Sequence, residues 1–109
     1  MYATIRGARD ASSTVGPGFY TFPCSAEMPI IWFNFSPHTP IRQTMIIMSA
    51  DAFNFGPLSS DSSTCLGSIV SSMQNDNIWT FGTSFLRDIY TIFDYDNNQV
   101  GLADLKRPV

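Results

Sequence analysis

Charge is what this sequence has least of. Only 14% of its 109 residues are charged, with 6 Lys and Arg against 9 Asp and Glu and a net charge of −3. An ordinary globular chain carries about 25%. The only basic clusters are Arg6 with Arg9 and Lys106 with Arg107. That is no footprint for displacing counterions from a polyanion, so nucleic-acid binding is excluded. Long apolar runs are also missing; none approaches the roughly 18 residues of a membrane-spanning helix. The start, Met1-Tyr2-Ala3-Thr4-Ile5-Arg6, lacks the basic-then-apolar order of a signal peptide. Histidine occurs once, at His38 between two prolines, where it reads as an exposed turn residue. With two cysteines, Cys24 and Cys65, far apart in the chain, neither a CxxC redox motif nor a Cys/His zinc site can be assembled. The GxSxG elbow and the glycine-rich phosphate loops are absent as well. No metal or cofactor is therefore expected.

What is present is apolar and aromatic. Apolar residues make up 44% of the chain and aromatics 14%, which with low charge excludes intrinsic disorder. Strand signals dominate. Aromatic and β-branched residues predict strands over 19–22, 30–35, 41–48, 65–72 and 78–81, each too short for a buried helix. Gly16-Pro17-Gly18 can be neither helix nor central strand, and the Ser-rich patches over 11–14 and 59–64 read as turns. Ser49 is placed to cap one helical turn through Phe53, and Gly82-Thr83-Ser84 to cap a short helix over 85–89. The clearest unit is a hairpin of 90–95 with 99–103, joined by Asp96-Asn97-Asn98, whose side chains tolerate left-handed backbone. Asp94, Asp96 and Asn98 alternate, but the glycine and distal glutamate of a calcium loop are missing. The fold class is all-β, antiparallel, with one or two short helices.

Few residues invite a chemical role. Asn34-Phe35-Ser36 is a glycosylation sequon, although Pro37 follows it. Trp32, Phe33 and Phe35 read as core rather than as a ligand box, because a chain this small needs their area. Met45 and Met48 alternate with isoleucines and read as strand packing. Cys24 and Cys65 read either as one disulfide or as two core thiols.

The last third of the chain changes the reading. Trp79-Thr80-Phe81-Gly82-Thr83-Ser84-Phe85-Leu86-Arg87, then Tyr90-Thr91-Ile92-Phe93-Asp94, then Asn97-Asn98-Gln99-Val100-Gly101-Leu102-Ala103, closely resembles the C-terminal end of pepsin-like aspartic proteases. Their pattern there is W-I-L-G-D-x-F-L-R, Y-T-V-F-D and N-N-x-V-G-x-A. Upstream, Tyr20-Thr21-Phe22-Pro23-Cys24 and Pro29-Ile30-Ile31-Trp32-Phe33 resemble the family's Y-x-x-x-C and P-x-I-x-F. Cys65-Leu66-Gly67-Ser68-Ile69 resembles the stretch at its second cysteine, and Tyr2 to Ala8 the segment after its second catalytic loop. The flavour is that of fungal secreted members.

The resemblance implies a fold of antiparallel sheets, half of the C-terminal lobe of an acid protease, with 1–109 as one partial lobe. It implies a Cys24–Cys65 disulfide and a secreted or vacuolar location. It places Ile69, Ser71 and Met73 on the primed-side wall of a substrate cleft. The parent activity is hydrolysis of peptide bonds at acid pH by two aspartates, each in an Asp-Thr/Ser-Gly turn. No such turn occurs in these residues, so the isolated chain is expected to be a catalytically inactive fragment, with polypeptide as substrate only in a full-length protease. Thr83 stands where the family has Asp, which weakens a local turn. The alternative expectation is a stand-alone binding protein on a protease-derived β scaffold, self-associating as a homodimer through the orphan lobe surface.

Overall fold

The computed structural model describes residues 1–35, 45–72 and 77–105. After a 3-10 turn at Tyr2–Thr4 come β1 (Arg9–Asp10), β2 (Tyr20–Pro23), β3 (Ile31–Asn34), β4 (Met45–Met48) and the one-turn helix α1 (Ala50–Phe53). Strands β5 (Asn54–Pro57) and β6 (Thr64–Gly67), helix α2 (Thr83–Leu86), and strands β7 (Ile89–Asp94) and β8 (Gln99–Asp104) complete the order. Every ladder is antiparallel. The fold is all-β with two short helices, as the residues and the resemblance both predict.

The main sheet has the order β1-β2-β6-β5. Phe22 faces Cys65 across its central ladder, and Pro23 faces Thr64 at the end, where a residue without an N–H costs the sheet least. One residue further on, Cys24 is bridged to Cys65 with their Cα atoms 5.0 Å apart. β5 carries a bulge between Asn54 and Gly56, and Gly56 adopts φ +115°, a conformation that glycine enters without strain. Phe22 and Phe53, both 1% exposed, stack at 5.6 Å in the centre of the first core. Tyr2, Ile5, Met48, Ala52 and Cys65 close around them.

A second, smaller core gathers Ile46, Phe85 and Ile89, with Phe33, Phe81, Leu86 and Leu102 against it. Strand β4 serves both cores, Met48 in the first and Ile46 in the second. Ser49 joins them by hydrogen bonding. Its Oγ accepts the Ala52 N–H at 3.0 Å, capping α1, and donates to the Asp88 carboxylate between α2 and β7. The β7–β8 hairpin covers one flank of the second core, with Leu102 turned inward.

Several expectations need correction. The strand expected over 65–72 stops at Gly67, because Ser68 turns its N–H to the Phe53 carbonyl and Ser71 turns its own to Gly18. Residues 78–81 form no strand despite their composition, since no ladder among the described residues receives them. The second helix begins at Thr83 rather than 85 and ends before Ile89, which opens β7. Its N-cap is Gly82, with no side-chain hydrogen bond. Trp32 and Phe35, expected in the core, are about half exposed; Phe33 packs inward, and Phe35 lays its ring against Phe33, Phe81 and Phe85 at the edge of the second core. Residues 41–44, and His38 with them, lie outside the described residues.

Candidate functional site

A cavity of about 690 Å³ opens between the two cores. On one side stand Tyr2 and Tyr20, stacked with centroids 4.6 Å apart and planes 10° from parallel. Phe33, Phe81 and Phe85 form the opposite side; Phe33 meets the other two edge-on at 5.2 Å. Trp79 stacks on Phe81 at 6.4 Å and extends the aromatic wall outward. Residues 68–72 run along a third side. The volume and the apolar lining are those of a small-ligand or side-chain pocket.

The 68–72 wall is fixed at three points. Ser68 Oγ donates to the Ala52 carbonyl at 2.8 Å, and its N–H to Phe53 at 2.9 Å. Tyr2 Oη donates to the Ile69 carbonyl at 2.7 Å. Ser71 N–H donates to the Gly18 carbonyl at 3.0 Å. Two glycines make these approaches feasible. A Cβ on Gly67 would lie 2.0 Å from Tyr2 Oη, and one on Gly18 would lie 2.2 Å from the Ser71 carbonyl oxygen, with Gly18 already at φ +81°. Burial pushes the Tyr2 phenol up to about 12. It therefore keeps its proton, and its role as donor to Ile69, throughout the acid and neutral range.

Two of the three wall residues expected from sequence come together here. Ile69 packs partly against the first core and lines the cavity, and Ser71 lines it from the rim. Met73 lies outside the described residues. The aromatic face made by Trp79 and Phe81, and Tyr20 across from it, were not assigned to a site from sequence. The signal that could have found it is the strand-like run at 78–81, which lines the cavity instead of joining a sheet.

Among the described residues no carboxylate lines the cavity, and no group of three His, Cys, Asp or Glu is placed to hold a metal. The described lining is apolar and aromatic, with Ser68, Ser71, Ser72, Asn77, Thr80 and Ser84 as its neutral polar side chains besides the two tyrosines. Asp94 is occupied elsewhere. Its carboxylate accepts from Asn97 Nδ2 at 2.9 Å, Gln99 Nε2 at 3.0 Å and the Asn97 N–H at 3.3 Å. Hydrogen bonds from the Asn97 and Gln99 side chains hold its pKa below the usual carboxylate range. This is a hairpin turn and not a calcium loop. Asn34 ends β3 opposite Met45, at the surface.

The comparisons with known proteins bear on the same residues. A family profile, described as eukaryotic aspartyl protease, matches residues 1–105. The chain belongs to that family. It is 38% identical over 106 residues to an aspartic protease of Phaffia rhodozyma, covering 94% of this chain and 24% of that protein. Penicillopepsin-1 of Penicillium janthinellum is 35% identical over 102 residues, 94% of this chain and 28% of that protein. Endothiapepsin of Cryphonectria parasitica is 34% identical over 93 residues, 85% of this chain and 20% of that protein. The chain thus spans about a quarter of the length of the curated relatives it matches. Within this aspartyl protease chain the disulfide implied by the resemblance is formed. Thr83, at the family's Asp position, is the exposed first residue of α2.

Proposed function

We propose that these residues serve acid hydrolysis of peptide bonds as part of the C-terminal lobe of an aspartic endopeptidase. They supply lobe core and one wall of the substrate cleft, while both catalytic Asp-Thr/Ser-Gly turns come from polypeptide outside these 109 residues. The observation that carries this is the cavity itself. It is apolar, aromatic and open, it is lined by Ile69 and Ser71, and no carboxylate reaches it among the described residues. Such a wall can receive the apolar side chains of an extended peptide and fix them. Neither Asp-Thr-Gly nor Asp-Ser-Gly occurs in the 109 residues, so on this reading they are inactive by themselves. The disulfide favours an oxidising route, secreted or vacuolar, on which the exposed Asn34 is a candidate for glycosylation.

The test begins with the intact mass of the protein from its natural source. A mass well above 12.1 kDa, with peptides containing Asp-Thr-Gly or Asp-Ser-Gly, is expected. In that protein Ile69→Asp should raise KM for an apolar peptide substrate about tenfold or more, since burying a lone carboxylate against the substrate costs several kcal/mol, with kcat much less changed. An unaltered KM removes Ile69 from the substrate wall. Pepstatin-sensitive cleavage by the 109-residue chain would overturn the assignment of the catalytic turns to other polypeptide.

A further inference from the structure

The stretch 68–72 leaves the main sheet where β6 ends and runs along the cavity. Near its two ends it is held by short-range devices of the fold. Ser68 bonds to the Ala52 and Phe53 carbonyls, and Ser71 to the Gly18 carbonyl. Between these anchors lie Ile69 and Val70. The tie that the structure gives there is the Tyr2 hydroxyl, which reaches the Ile69 carbonyl across a separation of 67 residues.

The donor is itself immobilised. The Tyr2 ring is stacked on Tyr20 and tilted against Phe53, which is fully buried. A ring packed on two sides gives its hydroxyl a fixed place, against which a neighbouring segment can be set. Strand β6 is shaped to let that hydroxyl through. At its last residue, Gly67, a Cβ would lie 2.0 Å from Tyr2 Oη and 2.6 Å from both Cε1 and Cζ. Gly67 is not among the glycines in the left-handed region, so its backbone does not call for glycine. What the missing side chain provides is room for the phenol. The buried phenol also keeps its proton at acid and neutral pH, so the tie stays in place there.

We infer that Tyr2 is a positioning residue for the substrate wall: its hydroxyl, reaching past Gly67, sets how far Ile69 stands into the cavity and so how large a peptide side chain the wall accepts. This rests on the reading of 68–72 as a substrate wall. Tyr2 acts through Ile69, by holding the backbone that carries it. Tyr2→Phe keeps the ring and both aromatic contacts and removes the donor alone. The Ile69 backbone is then free to shift between its two anchors, and small misplacements of a binding group are costly.

The test uses the full-length protein from its natural source. Two peptide substrates differ in one side chain only, Phe or Ala, at the position whose KM responds to Ile69→Asp. Tyr2→Phe should raise KM for the Phe peptide about three- to tenfold, the scale of one hydrogen bond, with kcat changed less than about twofold. The preference for Phe over Ala should narrow by the same factor. Gly67→Ala, which crowds the hydroxyl from the strand side, should raise KM likewise. Asp94→Ala loosens the turn between β7 and β8, where Asp94 bonds to Asn97 and Gln99. It should leave KM as it is, which separates positioning from a general loss of stability. If Tyr2→Phe leaves KM unaltered while Ile69→Asp raises it, Tyr2 does not position the wall and the inference falls, while the wall reading stands. If neither variant moves KM, the wall reading fails and the inference falls with it. A loss of kcat at unchanged KM, or a KM change shared by Asp94→Ala, makes Tyr2 a structural residue alone and also overturns the inference.

Discussion

Tyr2 links more of this molecule than any composition argument assigns to a single residue near the start of a chain. Its ring stacks on Tyr20, tilts against Phe53 at 5.4 Å, and ends in the hydrogen bond that holds Ile69 in the cavity wall. The sequence shows only a tyrosine followed by small residues. Its partners are distant in the chain, so no periodicity could reveal them. Its acidity gives a direct check. The folded value, about 12, lies above the ordinary phenol value of 10.0. The native state therefore holds a proton that the unfolded chain releases, and stability conferred by Tyr2 is complete below pH 10.0. It is lost as the pH rises towards 12. Urea midpoints measured across that window should fall with pH, and Tyr2→Phe should flatten this part of the decline. An equally steep decline in the variant would show that Tyr2 is not the titrating group.

At the level of elements, legibility followed locality. The β7–β8 hairpin was readable because its strands are consecutive, rich in β-branched and aromatic residues, and joined by Asx residues, with Asn98 at φ +50° as such a turn requires. α1 was readable because Ser49 is a hydrogen-bonding cap ahead of helix-compatible residues. β5 was not, since Asn54-Phe55-Gly56-Pro57 has the composition of a turn and becomes a strand only by pairing with β6 through a bulge. The two-residue strand β1 is likewise visible only through β2. Residues 78–81 show the converse: strand propensity with no ladder to join, so that tertiary context decided. Ile69 and Ser71 were named through family resemblance alone and line the cavity, their substrate role being part of the proposal; the aromatic residues opposite were not named for a site. Ser49 offers the prediction here. Ser49→Ala removes the cap of α1 and the link to Asp88 together, and should lower stability by about 1–2 kcal/mol. The loss should show in urea unfolding, and amide exchange should rise first at Ala52. Exchange unchanged there would mean that the cap contributes nothing.

For the whole molecule, two modest cores share one strand and a disulfide closes the larger of them. Among the described residues only Phe22 and Phe53 of the large side chains are fully buried, so the cores leave little margin beyond the cross-link. Cys24 and Cys65 close a loop of sequence separation 41. In the chain-entropy treatment that is worth about 4 kcal/mol, a large fraction of the 5–15 kcal/mol typical of a domain. Reduction, or Cys24→Ser with Cys65→Ser, should cost the chain its cooperative thermal transition or lower the midpoint by well over 10 °C. A midpoint that survives reduction would show that the main sheet holds without its staple.

The strand order β1-β2-β6-β5 also has a consequence in time. β2 sits between β1 and β6, and β6 is made some forty residues after it. At a synthesis rate of about 5–20 residues per second, β2 waits several seconds for the strand that completes it. Through that interval β2 has only the two-residue strand β1 as a sheet partner, and Phe22 has no Cys65 opposite it. This stretch of the newborn polypeptide is thus most vulnerable to wrong pairing, and most in need of a chaperone, between the synthesis of β2 and that of β6.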